Sequence, residues 1–328
     1  MVQSIAMEIK ESRRQSFLGP TLGWKRSESL IGRELRRWLS PPDPWKNYNI
    51  ARETLYEGTG RWFTQSDTFV KWKSSSLLLW IHGKRLSISI SVHTVAENNL
   101  VTAGSGKSVL RCVALPVSPC RRTYYFGSSA IIQDVGEMRE DGSSSIAFFF
   151  FDYSDDEKQT RRNLLSSLLV QLCDQSDSHY DILFKFYSKF DHGSRPPSDK
   201  EVTHCLKEML NAQRQDPIYF VIDALDECPG TFGIPSAREN VLTLIQELVG
   251  LCCSNLHICI TSRPEPDIET TLSRFAFSSV SLHNEDGQKQ DIINYIHHVV
   301  NSDPKMQKWR PEDKRLVINT LSERANGM

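Results

Sequence analysis

The sequence predicts a doubly wound α/β domain with a mainly parallel five-stranded sheet. Three observations point to it. Five strand-like apolar runs recur along the chain: Leu77–His82, Ile146–Phe151, Ile218–Asp223, Leu256–Thr261 and Phe277–Leu282. Three of them are near-continuous apolar runs, as parallel strands buried on both faces require. Between runs lie segments of helical pattern, among them Gln159–Cys173, Lys200–Asn211 and Glu239–Cys252. Strand–helix alternation of this kind argues for a parallel sheet covered by helices.

Taken in order, residues 1–26 show no clear period. Ser27–Leu39 reads as a short amphipathic helix. Leu30, Ile31, Leu35, Trp38 and Leu39 share a face, and Pro41-Pro42 ends it. A turn-rich stretch is expected to Tyr48. Ser66 then caps a helix that turns Phe69 and Trp72 inward. After the five strands, Lys289–Val300 and Glu312–Ala325 are helical, and the last helix is expected to lack a partner.

Composition excludes several classes. Lys+Arg is 39 against Asp+Glu 40, which gives no electrostatic reason to expect nucleic acid or an anionic membrane as partner. The longest apolar runs, Leu77–Ile81 and Ala147–Phe151, are far too short to span a bilayer, and Met1–Arg14 is too polar for a signal peptide. The cysteines at 112, 120, 173, 205, 228, 252, 253 and 259 form no CxxC pair and no zinc spacing. Reduced core thiols in a cytoplasmic protein are expected.

The chemistry gathers at three places. Ala103-Gly104-Ser105-Gly106-Lys107-Ser108 is the back half of a phosphate-binding loop. Glycines there let backbone N–H groups converge on an anion, the lysine reaches β- and γ-phosphates, and the hydroxyl ligates Mg²⁺. Such a loop feeds a helix N-terminus, whose dipole favours negative charge. The first glycine of the pattern should stand at 101, where the chain has Val101; Gly83 supplies it if residues 85–102 are removed. The second place is Ile218–Asp223 followed by Ala224-Leu225-Asp226-Glu227, an apolar strand ending in acid. Asp223 is expected to hold Mg²⁺ opposite Ser108, with Asp226 and Glu227 orienting or deprotonating water. A solvated acidic turn is the plainer alternative. The third is Leu256–Thr261 running into Ser262-Arg263-Pro264. If this strand lies beside the first, Arg263 can sense a γ-phosphate through its guanidinium fork; the alternative is an arginine that caps the strand end or pairs with Glu265.

Residues 111–128 are a second interruption. Pro116 and Pro119 fall where the helix after the loop should continue, and the helical pattern is expected to resume at Ser129. Both interruptions leave sensible sequence when removed. They read as unspliced introns or a gene-model error, with two genuine loop insertions as the alternative.

The order of loop, acidic strand and Thr-Ser-Arg strand resembles the NACHT family of P-loop NTPases, within the STAND class of signalling switches. The similarity is closest to the fungal type with a nephrocystin-3-like N-terminal module. It is carried by Trp38–Pro44, Gly58–Phe63, Leu79–Lys84, Ala103–Leu110, Phe149–Asp152, Lys158-Gln159, Leu164–Leu172, Ile222–Pro229, Thr261–Pro264 and Leu321–Met328. The resemblance implies a P-loop NTPase core over 77–285, a helical lead over 1–76 and the start of a helical lid over 286–328. It implies binding and slow hydrolysis of ATP or GTP with Mg²⁺, and self-association through the core. Signal transduction in fungal innate immunity or heterokaryon incompatibility is the implied setting. Gly83, Gly104, Ser105, Gly106, Lys107 and Ser108 are the expected nucleotide contacts, Ser108 and Asp223 the metal ligands, and Asp226, Glu227 and Arg263 the catalytic set. No acceptor-substrate site is evident, which argues against a metabolic kinase. The alternative is an inactive or truncated derivative acting only as an interaction module, or a non-functional product.

Overall fold

A computed structural model describes residues 30–53, 58, 60–75, 78–83, 119–140, 144–212, 216–231, 233–282, 286–303 and 306–326. The five strands are β1 (Leu78–His82), β2 (Ser145–Phe150), β3 (Ile218–Asp223), β4 (Leu256–Ser262) and β5 (Ala276–Ser281). They form one sheet in the order β2-β3-β4-β1-β5, with every pairing parallel. Each predicted run is present, shifted by one residue at most.

Successive side chains of a strand point to opposite faces, so each run supplies two layers at once. On one face Leu79, Ile81, Phe148, Phe150, Tyr219 and Val221 pack with Ile131, Ile132 and Val135 of helix α5 (Pro119–Glu140). The lead also packs here: Tyr48 and Ala51 of α2 (Trp45–Glu53), Phe63 of α3 (Arg61–Thr64), and Phe69 and Trp72 of α4 (Asp67–Ser74). Leu78, Trp80, Phe149, Phe220 and Ile258 line the opposite face. Helices α6 (Arg161–Cys173), α7 (Asp177–Lys189), α8 (Asp199–Leu210), α9 (Ala237–Val249) and α10 (Pro266–Leu272) cover that side, with Leu35 and Leu39 of α1 (Leu30–Leu39). Phe148 to Phe151 therefore bury rings on both faces, each contributing on the order of 2 kcal/mol.

One local expectation is met, and two further caps start helices that the pattern placed. Ser66 caps α4 by accepting from Phe69 N–H. Ser198 with Glu201, and Ser236 with Glu239, form capping boxes that start α8 and α9.

Four differ. Residues 45–53 are helix, not turns: Tyr48 and Ala51 fall on one face and are buried. The helical pattern does not wait for Ser129; α5 begins at Pro119. Proline suits a first helical position, because its missing N–H would have no intrahelical acceptor there. Residues 119–128 are thus part of a helix, while 85–102 and 111–118 lie outside the described residues. Helix α7 was not anticipated. The final helix has a partner: α12 (Pro311–Asn326) packs on α11 (Asp286–Ser302) through Ile318, Val300 and Met306.

The carboxylate of Asp291 on α11 accepts from Gly60 N–H at 2.7 Å and Trp62 Nε1 at 2.9 Å, tying the C-terminal helices to the lead. Gly60 has φ 79, and a Cβ there would meet Ala130 Cβ at 2.8 Å, so side chains are excluded where the lead crosses α5.

Candidate functional site

The first crossover lies on one face of the sheet and the later ones on the other. The β1-to-β2 connection carries α5 on one side, and the β4-to-β5 connection carries α10 on the other. In open α/β sheets that reversal opens a crevice at the carboxyl ends of the strands. Strand β4 lies between β3 and β1. His82 pairs with Ser262, so the next residues, Gly83 and Arg263, leave the sheet side by side. Ile222 pairs with Ile260, which brings Asp223 level with Thr261.

Asp223 ends β3 and is fully buried. Its Oδ1 accepts from Thr261 Oγ1 at 2.5 Å and from Ser128 Oγ of α5. Thr261 Oγ1 in turn accepts from Ala224 N–H at 3.0 Å. Ala224 sits in the left-handed region at φ 54, unusual for a residue with a Cβ, and this turns the chain sharply into the acidic cluster. Asp223 Oδ2 has no hydrogen-bond partner among the described residues. Burial pushes the Asp223 carboxyl up to about 6, against the hydrogen bonds from Ser128 and Thr261.

Asp226 and Arg263 form a close pair. Oδ1 of Asp226 accepts from the Arg263 backbone N–H at 3.0 Å, and Oδ2 lies 3.1 Å from Arg263 Nε. That second approach is off the N–H direction, so charge attraction holds it more than an in-line hydrogen bond. Glu227 Oε2 accepts from Tyr153 N–H at 3.2 Å, linking the acidic turn to the end of β2.

Of the predicted residues, Asp223, Asp226, Glu227 and Arg263 meet at one edge, and Gly83 is buried at the end of β1 beside them. Gly104, Ser105, Gly106, Lys107 and Ser108 lie outside the described residues. The stretch where the loop is expected to feed a helix, from Ser108 to the start of α5, lies outside the described residues. The N-terminus of α5 is Pro119, not Ser108, and the helix runs about two and a half turns before Ser128.

Three neighbours were not foreseen. Ser128 takes a hydrogen-bonding place at Asp223; a hydroxyl directly before the helical run resuming at Ser129 was the available signal. Arg238 of α9 binds the acidic turn through Asp226 O at 2.8 Å and Cys228 O at 2.9 Å, and is anchored by Asp267 at 3.2 Å. No sequence signal marks it. His82 shares 2.9 Å with Ser279 Oγ, and burial pulls its pKa down.

The fold and site define an α/β domain with a parallel sheet and an acid–arginine pair at its carboxyl edge, consistent with a P-loop NTPase-like fold. Residues 125–263 match the family model described as Nephrocystin 3, N-terminal, and over that stretch the chain carries a nephrocystin-3-like module. The match takes in Asp223, Asp226, Glu227 and Arg263, and it leaves out Gly83 and residues 104–108. A comparison with curated proteins gives no match. Among the described residues, no helix is long and apolar enough to cross a membrane.

Proposed function

We propose that this chain is the nucleotide-binding core of a NACHT-type STAND switch, taking ATP or GTP with Mg²⁺ and hydrolysing it slowly. One observation carries the reading: Asp223 ends β3, and Arg263 and Gly83 directly follow the neighbouring strands β4 and β1. Glycine, arginine and aspartate there suit phosphate, γ-phosphate and metal in turn. A buried carboxylate oxygen without a hydrogen-bond partner is what a cation or its water would satisfy, so Asp223 fits. Among the described residues no cluster of three His, Cys, Asp or Glu could hold a metal. That suits Mg²⁺, which is usually held by one or two carboxylates plus phosphate and water. Asp223 would hold it, with a loop hydroxyl, Ser108 by sequence. When bound, Mg²⁺ would neutralise charge on the β- and γ-oxygens.

Self-association through the core, a downstream effector and a cytoplasmic setting belong to the same reading. So does the origin of residues 85–102 and 111–128 as aberrant segments. A second reading has its own support. Helix α5 begins well beyond Ser108 and presents Ser128 to Asp223, as expected if the interrupted loop no longer docks. In that case the chain is an interaction module.

The test is equilibrium binding of Mg²⁺·ATP and Mg²⁺·GTP to the full chain and to one lacking residues 85–102 and 111–128. The shortened chain is expected to bind more tightly, because its loop glycines and lysine then sit on one turn. Absence of binding by both overturns the nucleotide reading.

A further inference from the structure

Asp226 was expected to activate water, yet its carboxylate faces elsewhere. One oxygen holds the Arg263 backbone N–H and the other stands 3.1 Å from Nε of the same residue. The Asp226 side chain is only 5% exposed, while that of Arg263 is 23% exposed. The carbonyl of Asp226 is fixed from the other side by Arg238 at 2.8 Å. A carboxylate spent on both the main chain and the side chain of one arginine is placed to orient it. A guanidinium is a planar fork, and a carboxylate that holds the arginine's backbone N–H and stands as its counter-charge beside Nε limits the directions in which the terminal nitrogens point. Arg263 leaves β4 beside Gly83, where the terminal phosphate of a bound nucleotide would lie.

Resting on the nucleotide reading, in which Arg263 senses the γ-phosphate, we infer that Asp226 is the positioning residue that holds Arg263 in the direction this sensing needs. The diphosphate offers Arg263 no γ-phosphate, so its affinity does not depend on the fork's direction. The triphosphate gains a bidentate, charge-assisted contact only if the fork is held.

The experiment measures dissociation constants of Mg²⁺·ATP and Mg²⁺·ADP for the full chain, Asp226→Asn, Arg263→Gln and the double variant. Asp226→Asn is expected to weaken ATP at least tenfold and change ADP less than twofold. Arg263→Gln should do the same, and the double variant should be no worse than Arg263→Gln alone, because the two act as one unit. Three results overturn the inference. Equal loss of both nucleotides marks a merely structural pair. Tighter ATP binding in Asp226→Asn marks simple charge repulsion. Unchanged affinities with lost hydrolysis mark Asp226 as the base. If Asp226→Asn fails to fold, Arg263→Gln reads the same discrimination from the other partner. Should the unsubstituted full chain bind neither nucleotide, the nucleotide reading itself fails for it, which is distinct from binding without discrimination.

Discussion

Asp223 is charged and buried at a cost. Its carboxyl ordinarily titrates at 3.8 and is raised to about 6 in the fold by burial. A raised folded pKa means its contribution to stability is complete below about pH 4 and is lost as pH rises through 6. By pH 7.5 the loss is on the order of 3 kcal/mol. Asp223→Asn is therefore expected to be more stable than the parent at pH 7.5 in urea denaturation, with the gap closing by pH 4. An equal loss at both pH values would show that the carboxylate is not strained. A residue kept where it destabilises suits a site held for a ligand. His257 has the opposite slope. It stacks on Tyr219 at 4.6 Å, its Nδ1 lies 2.9 Å from Trp72 O, and burial lowers its pKa below 6.5. Its contribution is present above pH 6.5 and lost as pH falls through the folded value. His257→Gln is expected to be less sensitive to acid than the parent between pH 7 and pH 5, read as the change in urea midpoint.

Strand β2 is an edge of the sheet, and edges offer unpaired backbone groups to other chains. Here α6 closes it. Gln171 accepts from Phe148 N–H at 3.1 Å and donates to Phe148 O at 2.8 Å; Gln175 does the same for Ile146 at 2.9 and 2.6 Å. Two amides one helical turn apart thus meet alternate residues of the strand. Gln171→Leu leaves a buried N–H and C=O without partners, an expected loss of about 3 kcal/mol in urea denaturation. Light scattering should rise as well; unchanged stability would remove the edge role. The helix itself was legible from the apolar spacing of Leu164 to Leu172, but the roles of Gln171 within it and Gln175 just beyond its end were not, since their partners lie on a strand more than twenty positions earlier. Helix α2 was missed because its inward face, Tyr48 and Ala51 with the partly buried Trp45, is short and buries the polar Asn47 as well. Proline was read at α5 as a breaker, though at a first helical position it is a starter.

At the scale of the whole molecule, five strand-like runs made the sheet readable; three of them are near-continuously apolar, as strands buried on both faces must be. Their order was not readable, since strand neighbours are set by tertiary packing. The sequence could say only that Arg263 reaches a phosphate if β4 lies beside β1; the sheet places it there. Asp223, Asp226, Glu227 and Arg263 were recognisable because acid and arginine at strand ends break an apolar pattern. Ser128 and Arg238 carry no such mark. The central claim is that this edge receives a nucleoside triphosphate through the Gly-Lys-Ser segment. The most direct measurement is an equilibrium titration of the full chain with Mg²⁺·ATP beside Lys107→Ala. Saturable binding that Lys107→Ala weakens at least tenfold is the predicted result. Binding absent both from this chain and from the one lacking residues 85–102 and 111–128, or unchanged by the substitution, would contradict the account.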